Sequence, residues 1–383
     1  MSSSIIWISA ALFTWGIGEG MFYMFQPFYL SQLGANPITI GYILGAAGLA
    51  MMIAHIPAGY LSDRIGRRPM LIAAWLIAGA ATWIMALAPS LPVFVTGLLI
   101  YGLTNFVTSP LNSYITAARG NWSVGRAITF ITAIFNLGIV LGPITGGWIG
   151  EHFGLRTVYY VAGTIFIFST FFLFNIPAQK IETHDPSKSN GSLLTNTRFF
   201  GFIGLGFFVM VSMYLPQPFT AKFLQDARGL SLANIGILGT IGGIGNTLLT
   251  FLLGMLEARL GFILGQFGVG LFSFLIWKTG NFGWFSLAYF SLGGYRAARS
   301  LFIAQIRPLV IESQMGLAFG ISETILGTTG ILVPIAAGFL YDSDKASIYP
   351  IALSAILIAI FLSILLTPKP SGGTLQPALE IME

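Results

Sequence analysis

Apolar runs of about 20 residues, each long enough to cross a bilayer as one helix, recur along the chain between short polar turns. Six precede the polar stretch Ala178 to Thr197, near residues 5–30, 38–61, 69–88, 92–117, 127–150 and 156–176. Six follow it, near 199–221, 231–256, 261–278, 283–306, 313–340 and 348–367. Backbone N–H and C=O groups find no water in hydrocarbon, so each run is predicted to be a helix that pairs its own. The pattern predicts an all-α membrane protein of twelve transmembrane helices in two six-helix pseudo-symmetric domains. Residues 1–177 are the first bundle, 178–197 a cytoplasmic linker and 198–383 the second bundle. The run from Ile5 lacks a basic leader and a cleavage site and reads as the first span rather than a signal peptide.

Two echoes predict that the halves are homologous. GMLEARLG, Gly254 to Gly261, repeats the glycine, arginine and glycine of GYLSDRIG, Gly59 to Gly66, with the acid moved to Glu257. LGPITGGWIGE, Leu141 to Glu151, matches LVPIAAGFLYD, Leu332 to Asp342, at Pro143 with Pro334, Gly147 with Gly338 and Glu151 with Asp342.

Composition agrees with a membrane interior: 55% of residues are hydrophobic and 8% charged. The formal charge of +5 matters less than its placement. Arg64, Arg67, Arg68, Arg119, Arg126, Lys180, Lys188, Arg198, Arg259, Arg307 and Lys369 fall on the linker's side of the membrane. Only Arg156, Lys222, Arg228, Lys278 and Lys345 fall on the other. Basic loops stay in the cytoplasm, so a multi-pass protein of the cell (inner) membrane with both termini cytoplasmic is expected. No basic face interleaved with aromatics stands outside the turns, and nucleic acid is not an expected partner. The absence of cysteine excludes disulfides, thiolate metal sites and cysteine catalysis. Histidines occur only at 55, 152 and 184, without an acid cluster of metal-ligand spacing, so neither a metal, a cofactor nor an enzymatic activity is expected. The expected state is a monomer.

The compact charged stretch of the first half is GYLSDRIGRRP, Gly59 to Pro69, between the second and third spans. A topology anchor accounts for its arginines but not for Asp63 or for two glycines at fixed offsets. GxxxDRxGRR, at Gly59, Asp63, Arg64, Gly66, Arg67 and Arg68, resembles the loop signature of the major facilitator superfamily of secondary transporters. In the fifth span, Gly138, Gly142 and Gly146 share a helical face that permits close packing, and Pro143 removes a backbone donor. With Gly147 they spell GIVLGPITGG, which resembles the GxxxGPxxGG motif of the superfamily's drug and proton antiporters. The resemblance implies two bundles rocking about a central site, with the Asp63 loop as a gate whose charge contact holds one state. It also implies export. The fourth span, Leu91 to Asn105, lacks the arginine that such antiporters carry in an RxxxG motif.

Charges inside a bilayer cost at least a few kcal/mol and mark functional positions. Glu19 lies between Gly18 and Gly20 in the first span, where a proton is the cheapest neutraliser. Arg296 and Arg299 share one face of the tenth span, and Glu323 lies in the eleventh. Helical rise puts Arg296 and Glu323 at similar depth. Two arginines exceed what one acid needs, so either the three form a structural ion pair or one positive charge is left for an anionic group or for Glu19. Glu19, then Glu323, are the proton-coupling candidates. Arg296, Arg299, Asn105, Asn112 and Gln217 are the substrate-binding candidates, while Asn136, Asn246 and His55 read as packing residues. The expected function is proton-coupled export of a hydrophobic or amphipathic small molecule. The alternatives are transport of an anionic solute or lipid headgroup clamped by Arg296 and Arg299, and a non-transporting membrane receptor.

Overall fold

The computed structural model describes residues 3–179, 196–310 and 315–367, with the backbone alone for 55–64 and 315–316. Most of the expected linker, residues 180–195, lies outside the described residues. All regular structure among the described residues is helical.

The first span is α1 (Ser3–Tyr23) continued by α2 (Gln26–Gln32), and α3 (Pro37–Ile65) and α4 (Arg67–Leu87) are the second and third. The fourth is α5 (Leu91–Leu103), one 3₁₀ turn (Thr104–Val107) and α6 (Thr108–Ala118), followed by α7 (Val124–Phe153) and α8 (Leu155–Phe174). The second half repeats the order. The seventh span is α9 (Thr197–Tyr214) with α10 (Gln217–Arg228), then come α11 (Leu232–Gly254) and α12 (Ala258–Lys278). The tenth is α13 (Phe282–Ser291) with α14 (Gly294–Ala304), the eleventh α15 (Met315–Gly327) with α16 (Thr329–Ser343), and α17 (Ile348–Leu366) is the last. Eleven of these stretches are long and apolar enough to cross a membrane as helices. The tenth is the exception, because Arg296 and Arg299 make it less apolar than the others.

The first, fourth, seventh, tenth and eleventh spans are each interrupted, which the continuous apolar runs did not indicate. Pro27 and Pro218 open α2 and α10 and supply no N–H donor to the preceding turn, so two of the breaks have a covalent cause. These breaks repeat with the halves: Tyr23, Gln26, Pro27 and Phe28 recur as Tyr214, Gln217, Pro218 and Phe219. The same separation relates α4 to α12, and α7 to α15 with α16.

The halves meet along α3 with α16 and α7 with α11, at the end opposite Gly66. A Cβ on Gly41 would lie 2.5 Å from the Pro334 carbonyl oxygen and one on Gly338 2.7 Å from that of Pro37. By the pseudo-twofold, Gly236 abuts the Pro143 carbonyl, and a Cβ on Gly147 would lie 2.5 Å from the Leu232 carbonyl oxygen. The Thr240 hydroxyl donates to Val140 O at 2.8 Å, and Glu151 Oε2 accepts from the Ala233 N–H at 2.7 Å in the first turn of α11. Toward the other end, among the described residues, no glycine makes such a contact between the halves. Among the described residues the halves are thus closed on each other at one end and open at the end that carries Gly66.

Candidate functional site

Glycine sets the position of Glu19. A Cβ on Gly20 would lie 2.8 Å from the Ile139 carbonyl oxygen, and one on Gly18 2.6 Å from the Phe166 ring, so α1 lies against α7 at backbone distance and against a ring of α8. Gly138, Gly142 and Gly146 form the α7 side of this contact, against Phe13, Gly20 and Met21, while Gly147 turns toward α11. The fifth-span motif therefore clamps α7 between the helix that carries Glu19 and the opposite half. One turn below Glu19, Trp15 stacks on Phe166 with centroids 3.9 Å apart, and Trp75 lies 4.9 Å from it. Trp75 Nε1 donates to Ser169 Oγ at 2.9 Å, and that hydroxyl donates to Ala11 O at 2.6 Å.

The Trp15 indole and the Tyr101 hydroxyl neighbour the Glu19 carboxyl, and Arg296 is the basic residue on the same central cavity. Glu19 and Arg296 share a central cavity of about 470 Å³ with Tyr23, Asn105, Gln217, Asn246 and Tyr295. Five spans, the first, fourth, seventh, eighth and tenth, contribute these side chains. Gln217 Nε2 donates to Met213 O at 2.9 Å, and Asn105 Nδ2 to Gly102 O at 3.4 Å. Asn246 Oδ1 is buried without a hydrogen-bond partner, an acceptor open to a donor from within the cavity. A second cavity, of about 420 Å³, lies within the first half; Glu19 and Asn105 belong to its wall too, with Trp15, Trp75, Thr108, Asn112 and Thr132. Asn136 lines neither cavity.

Of the three charges in the tenth and eleventh spans, Arg299 takes the acid. Its Nη2 lies 2.5 Å from Glu323 Oε2, and nearby Tyr295 stacks on Tyr214. Helical rise put Arg296 and Glu323 at similar depth; the ion pair forms with Arg299, one turn further along α14, and Arg296 alone of the two arginines lines the central cavity.

At the open end, Gly66 makes the α3–α4 turn at φ 92°, in the left-handed region that favours glycine. Arg67 Nη1 donates to Gln179 Oε1 at 3.2 Å and Arg68 Nη2 to Phe174 O at 3.1 Å, at the carbonyl end of α8. The Arg68 contact stays within the first half, and that of Arg67 reaches the start of the linker. The side chains of His55, Asp63 and Arg64, and Gly59 with them, fall in the stretch whose side chains lie outside the described residues. In the second half Arg259 Nη2 donates to Ile364 O at 2.5 Å, at the end of α17, and Nε to Thr367 Oγ1 at 3.0 Å. Arg259 thus corresponds to Arg68, in the first turn of its helix, and not to Arg64 as the GMLEARLG echo implied. That echo slipped because the turn after α11 is spaced differently from the turn after α3.

Sequence reasoning missed the tyrosines. Tyr23, Tyr289 and Tyr295 line the central cavity and Tyr214 stacks on Tyr295; the repeated Tyr–x–x–Gln–Pro–Phe string would have found Tyr23 and Tyr214.

The Major Facilitator Superfamily model matches residues 6–294. The MFS-type transporter MJ1560 of Methanocaldococcus jannaschii is 24% identical over 355 residues, which cover 88% of this chain and 90% of that protein. The quinolone resistance protein NorA of Staphylococcus aureus is 23% identical over 382 residues, covering 94% and 96%. Among solved structures, a point mutant of the nucleoside transporter NupG superposes with a TM-score of 0.80 at 15% identity, covering 95% of this chain and 100% of that one. The twelve-helix fold, the two motifs and the length of the match agree: the chain belongs to the Major Facilitator Superfamily of membrane transporters.

Proposed function

We propose that this transporter exports a hydrophobic or amphipathic small molecule in exchange for protons, by alternating access to the central cavity. The observation that carries the reading is Glu19, the one acid on the cavity wall among the described residues, set among aromatic rings and facing Arg296. Its ionised form is costly there, and a proton or a substrate group relieves that cost in turn. Export is favoured by the fifth-span motif and by likeness to a quinolone resistance protein. Basic loops at the open end put that end in the cytoplasm, so the structure corresponds to an inward-facing state.

A second reading has its own support. Arg296 faces the cavity without an acid of its own, Arg299 having taken Glu323, and a carboxylate or phosphate fits a free guanidinium. Purified protein in proteoliposomes with an imposed pH gradient tests both, with cationic, neutral and anionic amphiphiles offered in parallel. Uphill movement of cationic or neutral amphiphiles against the proton gradient is expected. Uphill movement restricted to anions supports the second reading, and no movement of any solute overturns both.

A further inference from the structure

The two halves are copies at the level of helices, yet they treat one position oppositely. Leu111 of α6 corresponds to Phe302 of α14, and Thr108 and Thr132 correspond to Arg299 and Glu323, at the separation that relates Gln26 to Gln217. In the second half this place is closed. Phe302 is fully buried, its ring occupies the space a Cβ of Gly206 would take, and it stacks on Phe202 with centroids 4.4 Å apart. Beside it the Arg299–Glu323 ion pair ties α14 to α15.

In the first half the same place is open. Trp15, the counterpart of Gly206, is turned against Phe166, and the shorter Leu111 leaves the space beside it unfilled. Two neutral threonines stand where the ion pair would be, and the cavity of about 420 Å³ is the result. It lies off the axis between the halves, reaching α4 at Ala74 and Trp75, and it meets the central cavity at Glu19 and Asn105.

We infer that this compartment is a second subsite, which holds the aromatic body of the substrate sideways within the first half while the polar end remains at Glu19. The chemistry of its wall selects the occupant. Trp15, Trp75 and Phe135 offer ring faces and edges, Thr108, Asn112 and Thr132 offer neutral hydrogen-bonding groups, and Glu19 is the only charged residue on it among those described. A planar aromatic amphiphile with a neutral or cationic end fits these groups; an anionic end finds no cation within this compartment and would have to reach Arg296 across the central cavity. The inference rests on the proposed transport of amphipathic small molecules and adds where the apolar part binds and why the site is asymmetric.

Leu111→Phe, which copies the ring of the other half, tests it. Binding of ethidium, a planar aromatic cation, and of tetraethylammonium, an aliphatic one, is measured by equilibrium dialysis on detergent-purified protein. Ethidium is expected to weaken about tenfold or more in the variant, while tetraethylammonium stays within about twofold. As a second measurement, Thr132→Cys in the cysteine-free chain is expected to react with a maleimide, and ethidium to slow that reaction. Unchanged ethidium affinity in Leu111→Phe, or maleimide labelling of Thr132→Cys that is indifferent to ethidium, overturns the subsite. So does a wild-type chain that binds no ethidium; the transport reading fails only if no amphiphile moves in the vesicle assay.

Discussion

Arg299 holds Glu323 at 2.5 Å, and in doing so leaves Arg296, one turn earlier, as the basic group that faces Glu19 across the cavity. The pair is partly exposed, at 37% for Arg299 and 54% for Glu323, on the side of the bundle that faces away from its core. Glu323→Gln is therefore expected to lower stability by about 1 kcal/mol or less, and Arg299→Gln with Glu323→Gln to recover most of that. Arg296→Gln should leave the melting temperature nearly unchanged and reduce transport, which thermal unfolding and vesicle flux on the same preparations separate.

Glu19→Gln keeps the shape and hydrogen-bonding capacity of the side chain and removes its proton exchange. The variant is expected to bind substrate and equilibrate it downhill, yet to lose uphill movement driven by a pH gradient. Uphill transport that keeps its pH dependence would transfer the coupling role to Glu323.

The closed end rests on glycine. Gly236→Ala places a methyl group against the Pro143 carbonyl, and overpacking of this kind costs about 1–3 kcal/mol, charged only to the state closed at that end. The variant should populate the other state. Single cysteines near Ser231, labelled by impermeant reagents, should become more reactive than in the unsubstituted chain.

Asp63→Asn is expected to impair transport strongly with expression little changed, as the resemblance of GYLSDRIGRRP to a gating loop implies. Arg68→Ala is expected to act differently: it frees the carbonyl end of α8 and should lower stability by about 1 kcal/mol without selecting a conformational state. Flux and thermal unfolding, measured for both variants, tell the two apart.

Much of the architecture was legible because hydrocarbon leaves the backbone so few options. Run lengths alone located the spans, and GIVLGPITGG located the helix that positions Glu19. The breaks were not legible from hydropathy, since Leu292 and Gly293 are as apolar as a continuous helix requires. Pairing of Arg299, rather than Arg296, with Glu323 was hidden too, because both arginines lie on one helical face a single turn apart. Thr108, Leu111 and Thr132 carry no chemical signal of their own. Their meaning emerges only when each is set beside its counterpart in the other half, and the Gln–Pro–Phe repeat that fixes the alignment is short.

At the closed end, Gly41 meets Pro334 as Gly236 meets Pro143, and Gly338 meets Pro37 as Gly147 meets Leu232. Exchange of the bundles leaves that seam unchanged, as it would the interface of a twofold homodimer. Damage there should come in matched pairs, with Gly147→Ala and Gly338→Ala costing alike, whereas Thr132 and Glu323, counterparts inside the bundles, should tolerate quite different replacements. The seam constrains both copies of the ancestral half to stay alike, and the cavity is where they have been free to diverge.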